Sequence, residues 1–241
     1  MECEMKEGEM CVKREYAKEW LDEAELELPE LERSLREVWH VNRYLGGNPA
    51  LYAHMEKMVA KVDGGKVRVL DVATGLADIP VALLNWRGLR GRHVSISCVD
   101  IHPQMIALAA KRTSGYPEIE VSEADGTALP YDDNSFHIAI CNLALHHLDE
   151  QQSVKLLSEM NRVASIGWIV TDLERRRLAY WSAKLLAGLV WRSPVTRHDG
   201  PLSVRRSYTA SEARELLRQA GIAGASVHKH FPFRLALVGH G

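Results

Sequence analysis

Three carboxylates stand at the ends of three successive apolar runs: Asp71 after Val67–Leu70, Asp100 after Val94–Val99, and Asp125 after Ile119–Ala124. In an open parallel sheet, such strand ends meet over one crevice. A carboxylate there accepts from both hydroxyls of a ribose, which suits Asp100, or from an exocyclic amine, which suits Asp125. A single strand-end Asp is more often a helix cap. Three in register behind a small-residue turn reverse that reading. Further on, His146-His147 follow a fourth apolar run, and His198-Asp199 form a second pair. An imidazole at either place takes a proton from a phenol or an activated carbon. The plain alternative is that one His packs locally and the other is exposed.

The element that positions the first acid is VRVLDVATGLADIP, Val67–Pro80. Its β-branched run reads as a buried parallel strand. Ala73–Ala77 then form a tight turn, and Ile79–Trp86 read as a helix with Pro80 in its first turn. Strand, small-residue turn and helix N-terminus together suit a nucleotide-like ligand, because free N–H groups and close backbone approach are both available. His93–Ile101, Ile119–Asp125, Phe136–Leu145 and Gly167–Leu173 read as further strands. Helices are expected over Pro103–Thr113 and Gln151–Ala164, the latter capped by Asp149 with Gln152. The alternation of β and α predicts a doubly wound, mostly parallel sheet.

About sixty residues precede the first strand. Residues 1–12 read as a charged tail. Lys13–Lys61 reads as mostly helical, broken at Leu28-Pro29 and Gly46–Pro49, with Leu31, Leu35, Val38 and Trp39 on one face. Glu174–Ser207 reads as an insertion, apolar and aromatic over Leu178–Trp191 and loop over Ser193–Val204. Thr209 with Glu212 marks the start of another helix. Ser226–His230 and Arg234–Val238 read as a closing hairpin.

Composition bounds the class. The 241 residues are 46% hydrophobic and 26% charged with a net charge of −2, which fits one globular α/β protein and argues against nucleic-acid binding. Charge is uneven: residues 1–37 hold thirteen acidic and six basic residues, and 174–206 hold two acidic and eight basic. The basic stretch reads as a solvated face, or as a cover near an anionic substrate or a membrane surface. The cysteines show no metal-ligand spacing, and no residue is assigned to a metal; Cys98 and Cys141 fall in strands and read as reduced core residues. With no signal peptide and no apolar run of membrane-spanning length, the expectation is a soluble cytoplasmic protein.

The pieces VLDVATG (Val69–Gly75), VDIHPQM (Val99–Met105), EADGTALPYDDNSF (Glu123–Phe136) and AICNLALHHL (Ala139–Leu148) jointly resemble the class I S-adenosylmethionine-dependent methyltransferases, over roughly residues 65–240. VLDVATGLAD is similar to the first motif of the ubiquinone/menaquinone-biosynthesis type. SLREVWHVNRYLGGNPAL and VTRHDGPLSVRRSYT more faintly resemble bacterial methyltransferases near polyketide pathways. The resemblance implies a Rossmann-like seven-stranded sheet of order 3-2-1-4-5-7-6. It implies a helical cap over residues 1–62 and a cofactor-binding domain over 63–241, with a lid insertion at 174–207.

By the same resemblance, Asp71, Ala73, Gly75 and Asp78 surround the methionine part of S-adenosylmethionine. Asp100 takes the ribose and Ile101 packs on adenine. Asp125 takes the adenine amine with Gly126 beside it, and Asn142 and Leu143 lead to the acceptor. The implied reaction is methyl transfer to a small organic acceptor that is aromatic, quinone-like or polyketide-derived. His146, His147 and His198 are the candidate bases. Asn42, Arg43, Tyr180 and Trp181 are the candidate acceptor contacts, with the basic aromatic lid also able to touch a membrane. The family usually has glycine where Ala73 and Ala77 stand, and an alanine does not readily adopt φ > 0.

Two competing classes are weighed. Tyr180 and Lys184 have the YxxxK spacing of short-chain dehydrogenases, but the turn lacks their spaced glycines and Asp71 would repel a pyrophosphate. A non-catalytic binding module of the same fold is motivated by the two alanines and opposed by Gly75, Asp100 and Asp125.

Overall fold

The computed structural model describes residues 11–23, 26–44 and 46–241. The tail expected over 1–12 therefore lies outside them up to residue 10. Seven strands form one sheet: β1 Lys66–Val72, β2 His93–Asp100, β3 Ile119–Glu123, β4 Phe136–Asn142, β5 Ala164–Leu173, β6 Ser226–His230 and β7 Arg234–His240. Their order is 3-2-1-4-5-7-6. Strands β1 to β5 pair in parallel, while β7 runs antiparallel to both β5 and β6.

The central strands are apolar throughout because both faces are covered. Val67 and Val69 of β1, Ile138 and Ile140 of β4, and Ala236 and Val238 of β7 pack on one side. Leu70, Val72, Ala139, Cys141, Leu235 and Leu237 pack on the other. This is the period-two alternation of a pleated strand buried twice over. Cys98 and Cys141 are buried free cysteines, as their strand positions suggested.

Described helices are α1 Trp20–Glu23, α2 Leu28–Tyr44, α3 Gly47–Val59, α4 Asp78–Leu84, α5 Pro103–Thr113, α6 Glu150–Val163, α7 Arg177–Leu189, α8 Pro194–Arg206 and α9 Ala210–Gln219. Capping boxes start α6 at Asp149/Gln152 and α9 at Thr209/Glu212, the two places where side-chain spacing signalled them. Helix α3 packs through Leu51, Met55 and Met58 into the core on the β1 side.

Three stretches differ from expectation. Ser193–Val204, expected as loop, is the helix α8, started by Ser193 accepting from Thr196 N and by Pro194 in the first turn. Its breaker residues have a packing reason: a Cβ on Gly200 would sit 2.3 Å from the Trp191 ring. Conversely, residues 13–19, expected as helix, have no regular structure. They are held from outside. Arg14 Nε donates to Arg206 O at 3.0 Å, and Arg175 Nη1 donates to Val12 O at 2.6 Å. Leu28-Pro29, read as a break, begins helix α2, where Pro is tolerated because its N–H would be unpaired anyway.

Candidate active site

The strand order reverses direction between β1 and β4, so a crevice opens at their C-terminal ends. The turn after β1 is knitted to β2. Thr74 N donates to Val99 O at 3.0 Å, and Gly75 N donates to Asp100 Oδ2 at 2.9 Å. Asp100 Oδ1 accepts from His102 N at 3.0 Å. A carboxylate has about four lone-pair sites, so Asp100 keeps acceptor capacity for a diol. Asp71 is fully buried and accepts from Thr74 Oγ1 at 2.6 Å. Burial raises its pKa from 3.8 to about 7, and the Asp100 carboxylate adds to the rise. Asp78 contacts Arg112.

The turn bends through the left-handed region three times, and the turn after β4 does so once. Ala73 has φ 58°, Gly75 φ 55°, Ala77 φ 56°, and Leu143, after β4, φ 57°. Alanine thus adopts the glycine conformation at both departures from the family pattern, at some cost in strain. Gly126 is required by packing: a Cβ there would meet Val72 Cγ1 at 2.7 Å. Asp125 uses Oδ1 for both Thr127 N and Thr127 Oγ1, at 2.8 and 2.9 Å, while Ile101 stays 55% exposed although it is apolar. Thr171 Oγ1 orients Asn142 by donating to its Oδ1 at 2.6 Å.

All ten candidate cofactor residues line one cavity of about 780 Å³, together with His146 and His147. The cavity continues under Leu35, Val38 and Asn42 of α2, and under Ala179, Ala183, Leu186 and Trp191 of the insertion. The N-terminal segment and the insertion thus share one wall with the strand ends. Four of the seven other candidates are placed elsewhere. His198 is outside the cavity, stacked on Trp20 with ring centroids 4.1 Å apart. Arg43 lies on the exposed face of α2 beside Tyr44. Tyr180 packs within the insertion, and Trp181 is 62% exposed on the outer face of α7. Lys184 is exposed as well, so the YxxxK pair has no place at the crevice. Asn42 does line the cavity, and accepts from Arg234 Nη2 at 3.0 Å.

His146 and His147 are both engaged, against the reading that one is merely exposed. Asp172, at the end of β5, accepts from His146 N at 2.9 Å and lies 2.7 Å from its Nδ1. His147 Nδ1 lies 3.0 Å from Asp22 Oδ2. The Nε2 of His146 is 3.6 Å from Glu19 Oε1. Arg206 closes the cluster by donating to the carbonyls of His146 and His147 at 3.1 and 3.0 Å. Burial pushes Asp172 up, but the neighbouring imidazole and backbone donors outweigh it and hold the carboxyl below its usual range. Burial raises Glu19 from 4.5 to about 7.

Sequence reasoning missed Glu19, Asp22, Asp172, Arg206 and Arg234. Asp172 was legible as a fourth strand-end acid. The others belong to a segment without regular structure, a short helix, the end of the insertion and the start of β7, where spacing carries no signal.

The charge of the crevice fits a cationic nucleoside and opposes a dinucleotide. Asp71, Asp78, Asp100 and Asp125 all line it. They would attract a sulfonium with its amino group and repel a pyrophosphate. The comparisons agree. A methyltransferase-domain model matches residues 69–167. The demethylmenaquinone methyltransferase of Chlorobaculum tepidum is 26% identical over 175 residues, 68% of each chain. A SAM-dependent methyltransferase from Aquifex aeolicus superposes with a TM-score of 0.52 at 20% identity, over 77% of this chain and 88% of that one. The CMeT domain of the citrinin polyketide synthase does so with a TM-score of 0.57 at 16% identity, over 77% and 49%. Residues 69–167 thus match a methyltransferase domain, and the chain resembles S-adenosylmethionine-dependent methyltransferases in sequence over that domain and in fold.

Proposed function

We propose that the chain methylates a small, acidic, planar acceptor of the hydroxylated aromatic, quinone-like or polyketide-derived kind. One observation carries this reading. Arg234 is 5% exposed, lines the cavity and has no carboxylate in ion-pair contact among the described residues. Burial lowers its pKa to about 10, so at neutral pH it remains a cation. Asp172 attracts it from beyond ion-pair distance, but its buried Nε has no hydrogen-bond partner among the described residues, and a phenolate or enolate oxygen would satisfy that donor and add a second counter-charge. The surrounding wall is apolar, which suits a flat carbon skeleton. The name of the Chlorobaculum relative, a demethylmenaquinone methyltransferase, supports the quinone-like part of this reading.

Bound S-adenosylmethionine supplies a methyl group made electrophilic by its cationic sulfur. The chain's own residues bind, orient and deprotonate. Asp100 holds the ribose hydroxyls and Asp125 the adenine amine, with Ile101 against the ring. Asp71 supplies negative charge below the methionine part, and Asn142, fixed by Thr171, borders the acceptor. His146 is the base: Asp172 accepts at Nδ1 and fixes the tautomer, leaving Nε2 to take the acceptor's proton. Glu19, which titrates near neutrality, sits beside Nε2 as the next stop for that proton. Apolar residues of α2 and α7 exclude water, and alignment supplies much of the rate.

The test is incubation with isotopically labelled cofactor and a panel of hydroxylated quinones, phenols and β-dicarbonyl acids, read by mass spectrometry. One or more should gain the label. Arg234→Met should then raise KM for that acceptor about tenfold or more, as for a lost charge-assisted contact. S-adenosylhomocysteine affinity should be unchanged. An unaltered acceptor KM would overturn the role of Arg234, and label on none of the panel would overturn the acceptor class.

A further inference from the structure

Helix α7 has two apolar faces, and among the described residues only one of them is used by the fold. Ala179, Ala183 and Ala187, spaced by four, are buried inward. On the opposite side stand Leu178, Trp181, Leu185 and Leu189, exposed by 69, 62, 62 and 76%, with Val190 at 60% just beyond the helix end. Their spacing of three, four and four puts the first four in one stripe along the helix. Single exposed apolar residues are ordinary, but a continuous stripe of large ones marks a contact surface. Lys184 lies along one flank of the stripe, and Arg192 follows its end, both exposed.

We propose that α7 is a membrane-docking helix that seats the acceptor cavity against an anionic lipid surface. The exposed stripe enters the acyl boundary, and the flanking cations meet anionic headgroups. Charge complementarity selects this occupant over a second copy of the chain, because a symmetric pairing through the stripe would bring basic flanks together. The inward face supplies the consequence. Ala179, Ser182, Ala183 and Leu186 of the same helix line the cavity, so a lipid-like acceptor leaving the bilayer reaches the site past this one element. This consequence rests on the proposed acceptor class, whereas the docking itself does not.

The experiment is co-sedimentation of the full chain with phosphatidylcholine vesicles, with and without phosphatidylglycerol, at low and high salt. The chain should pellet with the anionic vesicles, and less so at high salt. Leu185→Glu with Leu189→Glu should reduce binding about tenfold or more. The charge-reversed pair Lys184→Glu and Arg192→Glu should abolish the preference for anionic lipid, which keeps the test open if the first pair misfolds. Both variants should retain S-adenosylhomocysteine affinity and turnover of a water-dispersed acceptor. Loss of those activities would touch the functional reading instead. A wild-type chain that stays in the supernatant overturns the proposal. So does a dimer, seen by sedimentation equilibrium, that Leu185→Glu with Leu189→Glu dissolves.

Discussion

Ala73 and Ala77 share a backbone conformation but not an environment, and their glycine variants should separate. At φ 58°, Ala73 is only partly buried, so Ala73→Gly removes strain at little packing loss. Denaturant unfolding should show a gain of about 0.5–1 kcal/mol, after the extra entropy of the unfolded glycine chain. Ala77 is fully buried, and its methyl contributes about 0.8 kcal/mol. Ala77→Gly should therefore be nearly neutral. Equal effects at both sites would contradict this account. Glu19 offers a pH test. It faces His146, His147, Asp22, Asp199, Arg206 and the Ser203 hydroxyl. Its folded pKa of about 7 lies above the ordinary 4.5, so the folded state binds the proton more tightly. The stability from that proton is full below about pH 4.5 and is lost as pH rises through 7. Glu19→Gln should match wild type near pH 5 and exceed it by up to ~3 kcal/mol near pH 8. Parallel stability–pH curves for the two proteins would refute the burial argument.

At the scale of elements, the N-terminal segment is held over the crevice by polar contacts to α8. Asp199 accepts from Trp20 N and Leu21 N at 3.0 and 3.1 Å, and Arg206 donates to Ala17 O at 2.8 Å. Asp199→Ala should open residues 12–23 to hydrogen exchange by about 1–3 kcal/mol while the sheet amides keep their protection. Uniform loss across the chain would show that the segment is not a separate unit. This polar anchoring explains which elements were legible. Strand runs such as Val67–Val72 and capping pairs such as Asp149/Gln152 are local patterns, and the structure repeats them to within a few residues. Helix α8 contains Gly200 and Pro201, which signal a break locally. Tertiary packing of Trp191 over Gly200 overrides that signal. Residues 13–19 fail in the opposite sense: their charges suit a helix, but Arg206 captures the Ala17 carbonyl and Arg14 is drawn to the Arg206 carbonyl.

At the scale of the molecule, one cavity joins an acidic end built on β1 and β2 to an apolar end built by α2, α7, α8 and β7, where Arg206 and Arg234 stand with Glu19, Asp22 and Asp199. The acidic end was legible because its carboxylates fall at strand ends. The other end was not, because Glu19, Arg206 and Arg234 come from distant parts of the chain and acquire meaning only when buried in one cavity. The division makes a sharp claim: cofactor affinity depends on Asp100, whereas His146 matters for turnover. Calorimetric binding of S-adenosylhomocysteine to wild type, Asp100→Asn and His146→Gln tests it most directly. Asp100→Asn should weaken binding by about 1.5–3 kcal/mol through loss of charge-assisted hydrogen bonds, and His146→Gln by no more than a few tenths. Wild-type affinity in Asp100→Asn would contradict the assignment of the acidic end to the cofactor.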